Sequence, residues 1–151
     1  AIAGVDTFTE GFYRKFVNNS IPIFFNQAHQ LIANADVTVV TSGTATLETA
    51  LLGTPQVVVY KTSTVNYLIA KLLIKVKYIS LVNLIAEKEV VKELIQANCK
   101  ASEIEDEVKK LLFSSVIMEE EYKEIQQKIG KSGASEKVAF EIFNDLSRIV
   151  N

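Results

Sequence analysis

Two hydroxyls flank a glycine at Ser42-Gly43-Thr44, and a carboxylate, Glu48, follows one helical turn later. Before them runs the β-branched stretch Val37 to Thr41, and after them a stretch with helical composition. A strand, a small-residue turn and a helix start make a place where phosphate can rest on unpaired backbone N–H groups. Open α/β sheets bind ligands at the carboxyl ends of their strands, where this turn falls. Glu48 would then be near enough to accept hydrogen bonds from sugar hydroxyls.

A purely structural reading competes with this one. Gly43 permits the backbone conformation of a tight turn, and Ser42 or Thr44 can cap the helix. A capping box, however, places Glu or Gln three residues after the capping hydroxyl. Those positions are Ala45 and Leu47, so Glu48 has no capping role. Its helical neighbours are Thr44, Ala45, Leu51 and Leu52, among which a carboxylate without partners is costly to bury. A ligand site and a structural cap both remain open on these residues alone.

Other reactive residue types carry less. His29 is the sole histidine, and no oriented partner for general acid–base work is visible beside it. Cys99 precedes Lys100, a cation able to favour a thiolate, but a plain packed or exposed cysteine is the simpler reading. No His, Cys, Asp or Glu set has metal-ligand spacing. Lys71 and Lys75 share one face of an apolar run from Tyr67 to Lys77, as a membrane-surface helix or a core helix with a solvated edge would. Glu119-Glu120-Glu121 reads as the acidic opening of a helix.

The elements that must position these residues follow from periodicity. Ile2 to Val5 reads as a strand remnant, and Phe8, Phe12 and Phe16 as one face of a helix. Ile21 to Phe25 is a short strand. Asn26 is expected to cap a helix that buries Ala28, Leu31, Ile32 and Ala35. Val37 to Thr41 has the continuous apolar character of a parallel strand covered on both faces. Thr44 to Leu52 is a helix closed by Gly53, with Pro55 beyond.

Further strands are expected at Gln56 to Tyr60 and Lys77 to Leu81, with a helix at Val65 to Ile74 between them. From Lys88 onward only helices are predicted, over 88–97, 102–113, 118–129 and 135–150. Alternating strands and helices predict an α/β fold, a Rossmann-like parallel sheet with flanking helices and a helical C-terminal tail. The expected division is a Rossmann-like core over 1–97 and a helical tail over 98–151. The tail carries apolar stripes such as Ile104, Val108, Leu111 and Leu112, which must bury against the core, a partner subunit or another domain.

Bulk properties bound the rest. A length of 151 residues with 48% hydrophobic content is enough for a domain with its own core. A net charge of −2 gives no electrostatic case for a nucleic-acid partner. One cysteine cannot form an internal disulfide, which is compatible with a reducing compartment. No segment reaches the roughly 18–20 continuous apolar residues that span a bilayer, so a soluble or peripheral protein is expected. The first residues read as the end of a strand, which predicts a piece of a longer protein.

Three ordered motifs resemble the lipid-A-disaccharide synthase family. They are Ser42 to Glu48 continued by Ala50-Leu51-Leu52-Gly53-Thr54-Pro55, the stretch Tyr78 to Val91 containing Asn83, and Gly133-Ala134-Ser135. The resemblance covers nearly the whole chain as the C-terminal portion of that family. It implies half of a two-domain GT-B-type glycosyltransferase whose C-terminal domain holds a UDP donor. The family moves 2,3-diacylglucosamine from its UDP conjugate to 2,3-diacylglucosamine 1-phosphate, giving a β-1,6-linked disaccharide and UDP.

No metal or other cofactor is implied. Carried over by motif, Ser42, Gly43 and Thr44 would approach the diphosphate, Glu48 would bind the ribose hydroxyls, and Asn83 would line the donor site. Val82, Glu87 and Lys61 stand where many members have Pro, Gly and Arg, and Lys lacks the bidentate phosphate contact of Arg.

The acceptor site and the acidic base belong to the family's N-terminal domain, so no catalytic base is expected in this chain and the fragment alone is expected to be inactive. The resemblance also implies a cytoplasmic protein peripheral to the inner membrane, with Lys71 and Lys75 as membrane contacts, and C-terminal segments exchanged within an intertwined homodimer. Two other classes compete: a different UDP-sugar enzyme such as an epimerase, and a non-catalytic α/β interaction module. The match from Asn83 to Val91 speaks against the first. The second lacks an acidic cluster at its strand ends, where Asp6 and Asp36 do not make one.

Overall fold

The computed structural model describes residues 1–63, 77–114, 116–130 and 133–149. Among these, parallel strands and helices alternate from the start of the chain. Strand β1 (Ile2–Gly4), helix α1 (Glu10–Tyr13), β2 (Ile23–Phe25), α2 (Ala28–Ala33), β3 (Thr38–Thr41), α3 (Thr44–Leu51) and β4 (Gln56–Tyr60) come first. Helix α4 (Leu81–Ala86), β5 (Lys92–Ile95) and a short 3₁₀ turn (Gln96–Asn98) follow. Helices α5 (Ala101–Phe113), α6 (Val116–Ile129) and α7 (Ala134–Ile149) complete the sequence. The fold is α/β and Rossmann-like, with parallel sheets flanked by helices.

The strands form two sheets. β1 pairs with β2, and β3, β4 and β5 form a second sheet in that order. All three pairings are parallel, with Val40 opposite Val58 and Val58 opposite Glu93. β4 is central and buries Gln56, Val57 and Val58 completely. β3 is an edge of its sheet, and Val39 is 49% exposed. The expectation that this strand is covered on both faces is therefore corrected. A β-branched run suits a half-open edge strand as well as a buried one.

The core lies where Ala50 of α3, Val58 of β4, Val82 of α4 and Val91 meet Met118, Tyr122 and Ile125 of α6. Each large apolar side chain buried this way contributes about 1.5–3 kcal/mol. α6 thus packs into the centre of the molecule. α5 crosses strands β3, β4 and β5. On α7, by contrast, Val138, Phe140, Ile142, Phe143 and Leu146 are more than half exposed.

α3 ends as its sequence predicts. Gly53 has φ +81, its N–H donates to Ala50 O, and the Thr54 N–H donates to Thr49 O. That is a Schellman closure, for which glycine is suited because it tolerates positive φ.

Five other local expectations are corrected. The helix predicted on Phe8, Phe12 and Phe16 shrinks to the single turn of α1. Arg14 Nη1 donates to the carbonyls of Asn18 and Ile21, and so holds the chain in a return loop. Asn26 does not cap α2, since it has φ +57 and the N-cap is Gln27 without a side-chain bond. None of the expected buried face of α2 is fully buried, and Ala28 is exposed.

Residues Lys77 to Ser80 are not a strand. The Ile79 and Ser80 N–H groups donate to the Glu93 carboxylate instead of a ladder partner, and Ser80 caps α4. The helix expected over 88–97 is replaced by β5, whose backbone pairs with β4. The predicted helix over Val65 to Ile74 lies outside the described residues.

Candidate functional site

The carboxyl ends of the parallel strands carry Asp6 after β1, Asn26 after β2, Ser42 and Gly43 after β3, and Lys61 after β4. Ligands of open α/β sheets bind at this end. A cleft of about 440 Å³ opens here, with Gly4, Asp6, Asn26 and His29 in its wall. A second depression, of about 500 Å³, lies at the C-terminal end of α6 between Lys123, Gln126 and Gly130.

The β3–α3 turn is built by glycine and by bonds below it. The N-cap of α3 is Gly43, at φ 159 and ψ −161, and no side chain caps the helix. A Cβ at Gly43 would meet nothing within 4 Å among the described residues, which leave the turn open on that side. The first-turn N–H groups of a helix have no intrahelical acceptor. The Thr46 N–H donates to Gly43 O over 3.2 Å, so the Thr44 and Ala45 N–H groups, with no capping side chain over them, are the ones that can receive an anion. The Thr46 hydroxyl donates to Gly43 O over 2.8 Å and steadies the turn from within.

Ser42 and Thr44 do not cap the helix, which corrects that expectation. The Ser42 N–H donates to Val59 O over 3.1 Å, and its hydroxyl donates to Ile79 O over 2.9 Å. Both hydrogens are committed to the fold, so Ser42 has none left to offer a phosphate. Its bond to Ile79 ties the turn to the segment that leads into α4. Thr44 is exposed at the first position of α3. Gly43 and Thr44 are therefore the members of the turn open to a ligand.

Glu48 is half-exposed on α3, and its Oε2 lies 3.1 Å from His29 Nε2 on α2. A carboxylate only accepts, so the ring nitrogen in this contact carries the hydrogen. His29 thus has the partner that its sequence neighbourhood does not show, because the two residues stand 19 positions apart. The remaining carboxylate lone pairs of Glu48 can accept from hydroxyl groups of a ligand.

Asn83, expected to line the donor site, stands inside the fold. It is completely buried. Its carboxamide oxygen accepts from the Val90 and Val91 N–H groups at 2.8 and 2.9 Å. Its amide nitrogen donates to Val91 O at 2.8 Å and to Glu93 Oε1 at 2.9 Å. Two donors and two acceptor sites are the whole capacity of a carboxamide. Glu93 also accepts from the Ser80 hydroxyl at 2.7 Å.

The network of Ser80, Asn83 and Glu93 was not foreseen as a unit. The legible signal was Ser80 three residues before a polar residue at a helix start. Lys71 and Lys75, the expected membrane contacts, lie outside the described residues. Among the described residues no group of three His, Cys, Asp or Glu side chains is placed to hold a metal ion, and no helix is long and apolar enough to cross a membrane.

Comparison with known proteins gives this geometry a context. Residues 11–144 match the lipid-A-disaccharide synthetase family. A lipid-A-disaccharide synthase of Syntrophus aciditrophicus (strain SB) is 45% identical over 114 residues, 74% of this chain and 30% of that protein. One of Sulfurihydrogenibium sp. (strain YO3AOP1) is 34% identical over 125 residues, 81% of this chain and 32% of its own length. One of Rickettsia conorii (strain ATCC VR-613 / Malish 7) is 45% identical over 93 residues, 62% of this chain and 21% of its own. The chain thus spans a third or less of the length of these relatives. It belongs to the lipid-A-disaccharide synthetase family.

Proposed function

We propose, from that membership, that the chain is the UDP-donor-binding portion of a glycosyltransferase that makes the lipid A disaccharide. The whole enzyme would transfer 2,3-diacylglucosamine from its UDP conjugate to 2,3-diacylglucosamine 1-phosphate, forming a β-1,6 bond and releasing UDP. The observation that carries this reading is the β3–α3 corner. An uncapped helix start at Gly43 is left open on one side by the described residues, and the half-exposed Glu48 carboxylate stands one turn along the same helix. The spacing suits a nucleoside diphosphate, with phosphate at the helix start and ribose at the carboxylate.

In this mechanism the Thr44 and Ala45 N–H groups at the start of α3, joined by the Thr44 hydroxyl, hold the diphosphate. Negative charge grows on that group as the glycosidic bond to it breaks. Donors already in place stabilise the charge without reorganising during the reaction. Glu48 orients the nucleoside and so aims the sugar. The acceptor and the base that deprotonates its hydroxyl are assigned to another part of the enzyme. We therefore expect these 151 residues to bind donor without turning it over.

The same reading has the enzyme work in the cytoplasm, against the inner face of the inner membrane, a setting that suits acylated substrates. The exposed apolar side chains of α7 suit burial against the rest of the enzyme or a second copy of it. A titration of the isotope-labelled chain with UDP tests the donor site. Shifts at Gly43, Thr44 and Glu48 at millimolar ligand are expected, and their absence would refute the assignment. A turnover assay of the chain with both lipid substrates is expected to give no disaccharide.

A further inference from the structure

We propose that His29 is a positioning residue for Glu48, fixing one carboxylate oxygen so that the carboxylate presents its remaining acceptor sites to a vicinal diol. The proposal rests on the donor-site reading above and adds to it a residue that neither motif spacing nor capping logic identifies.

Geometry is the first support. His29 Nε2 donates to Glu48 Oε2 over 3.1 Å, between helices α2 and α3. A Glu side chain on a helix surface otherwise samples several rotamers, and fixing it beforehand removes that cost from the binding step. The second support is exposure. The side chains are 68% and 45% exposed, and exposed ion pairs contribute little to stability. The pair is therefore a poor candidate for a fold stabiliser. The third is location. His29 also stands in the wall of the cleft at the ends of β1 and β2, alongside Asp6 and Asn26. One imidazole thus joins the carboxylate to a cleft that opens at the strand ends.

The test compares UDP with 2′,3′-dideoxy-UDP, which keeps the base and diphosphate but lacks the diol. Affinities are measured by calorimetry on the full chain. The unaltered chain is expected to prefer UDP. His29→Ala should weaken UDP about two- to fivefold, the most that an exposed pair can contribute by holding the carboxylate in place, and leave the dideoxy ligand unchanged. His29→Gln, which keeps an N–H donor on a side chain of similar reach, should recover most of the loss. In a Glu48→Gln background His29→Ala should have no further effect.

An unchanged preference for UDP in His29→Ala would overturn the proposal while leaving the donor site standing. Equal weakening of both ligands, or no rescue by His29→Gln, would overturn it as well. Failure of the unaltered chain to bind UDP would remove the donor-site reading and this proposal with it.

Discussion

The corner at Gly43 and the corner at Asn83 are assembled from the same parts. Each sits where a helix begins near a strand, and each combines a serine, a backbone turn and a carboxylate. At Gly43 the helix start is uncapped, a Cβ would meet nothing among the described residues, and Glu48 shares one ion pair while standing half-exposed. At Asn83 the serine caps the helix, the carboxamide uses all its bonding capacity, and Glu93 accepts from four groups. Residue type does not distinguish the two corners. Satisfaction does: a polar group whose partners are all internal holds the fold, and one left with spare capacity can hold a ligand.

The sharpest way to break this contrast is to remove Asn83. Asn83→Ala strips a partner from the buried Val91 N–H and carbonyl and from the half-buried Val90 N–H and Glu93 carboxylate. We expect a loss of about 3 kcal/mol or more, read by urea unfolding. A loss of UDP affinity with normal stability would instead place Asn83 at the ligand.

A smaller effect is expected at Tyr122, whose hydroxyl accepts from the buried Gln56 Nε2 at 3.1 Å. Tyr122→Phe should cost about 1 kcal/mol. Burial also pushes the Tyr122 phenol above its ordinary value of 10.0, against a small opposing effect of the Gln56 hydrogen bond. In the unfolded chain the phenol ionises near 10.0, whereas in the fold it stays neutral to higher pH. Stability from this group is therefore complete below pH 10 and declines as pH rises beyond it. Thermal melts across that range should show a decline that Tyr122→Phe blunts.

The smallest change in stability belongs to Glu48→Gln, within about 0.5 kcal/mol because the pair it breaks is exposed. The same substitution should weaken UDP about tenfold, the loss expected of a charged acceptor. That inversion, large on binding and slight on folding, is the counterpart of Asn83 and completes the comparison.

Much of the fold was legible in advance. The run from Val37 to Tyr60 folds as strand, helix and strand, because β-branched residues, a glycine stop and Pro55 are strong local signals. The three long helices after residue 100 also stand near their expected places. The misreadings cluster between Lys77 and Asn98. There Val90-Val91-Lys92-Glu93-Leu94-Ile95 suits either a helix or a strand, and pairing with β4 decides for the strand. In the candidate site, the turn and Glu48 were legible because their spacing is local. The commitment of Ser42 to Ile79, 37 positions away, was not.

Sequence alone determined the order of the elements around the turn, the glycine at its apex, the exclusion of a capping box for Glu48, and the motifs that mark the family. Those properties depend on neighbours within a few residues, where periodicity and capping act. Tertiary structure alone decided that Asn83 and Glu93 are internal, that Ser42 has no hydrogen to give a phosphate, and that His29 reaches Glu48. Each of these depends on which groups meet across α2, α3, α4 and β5. A polar side chain serves either the fold or a ligand according to the partners that folding brings to it.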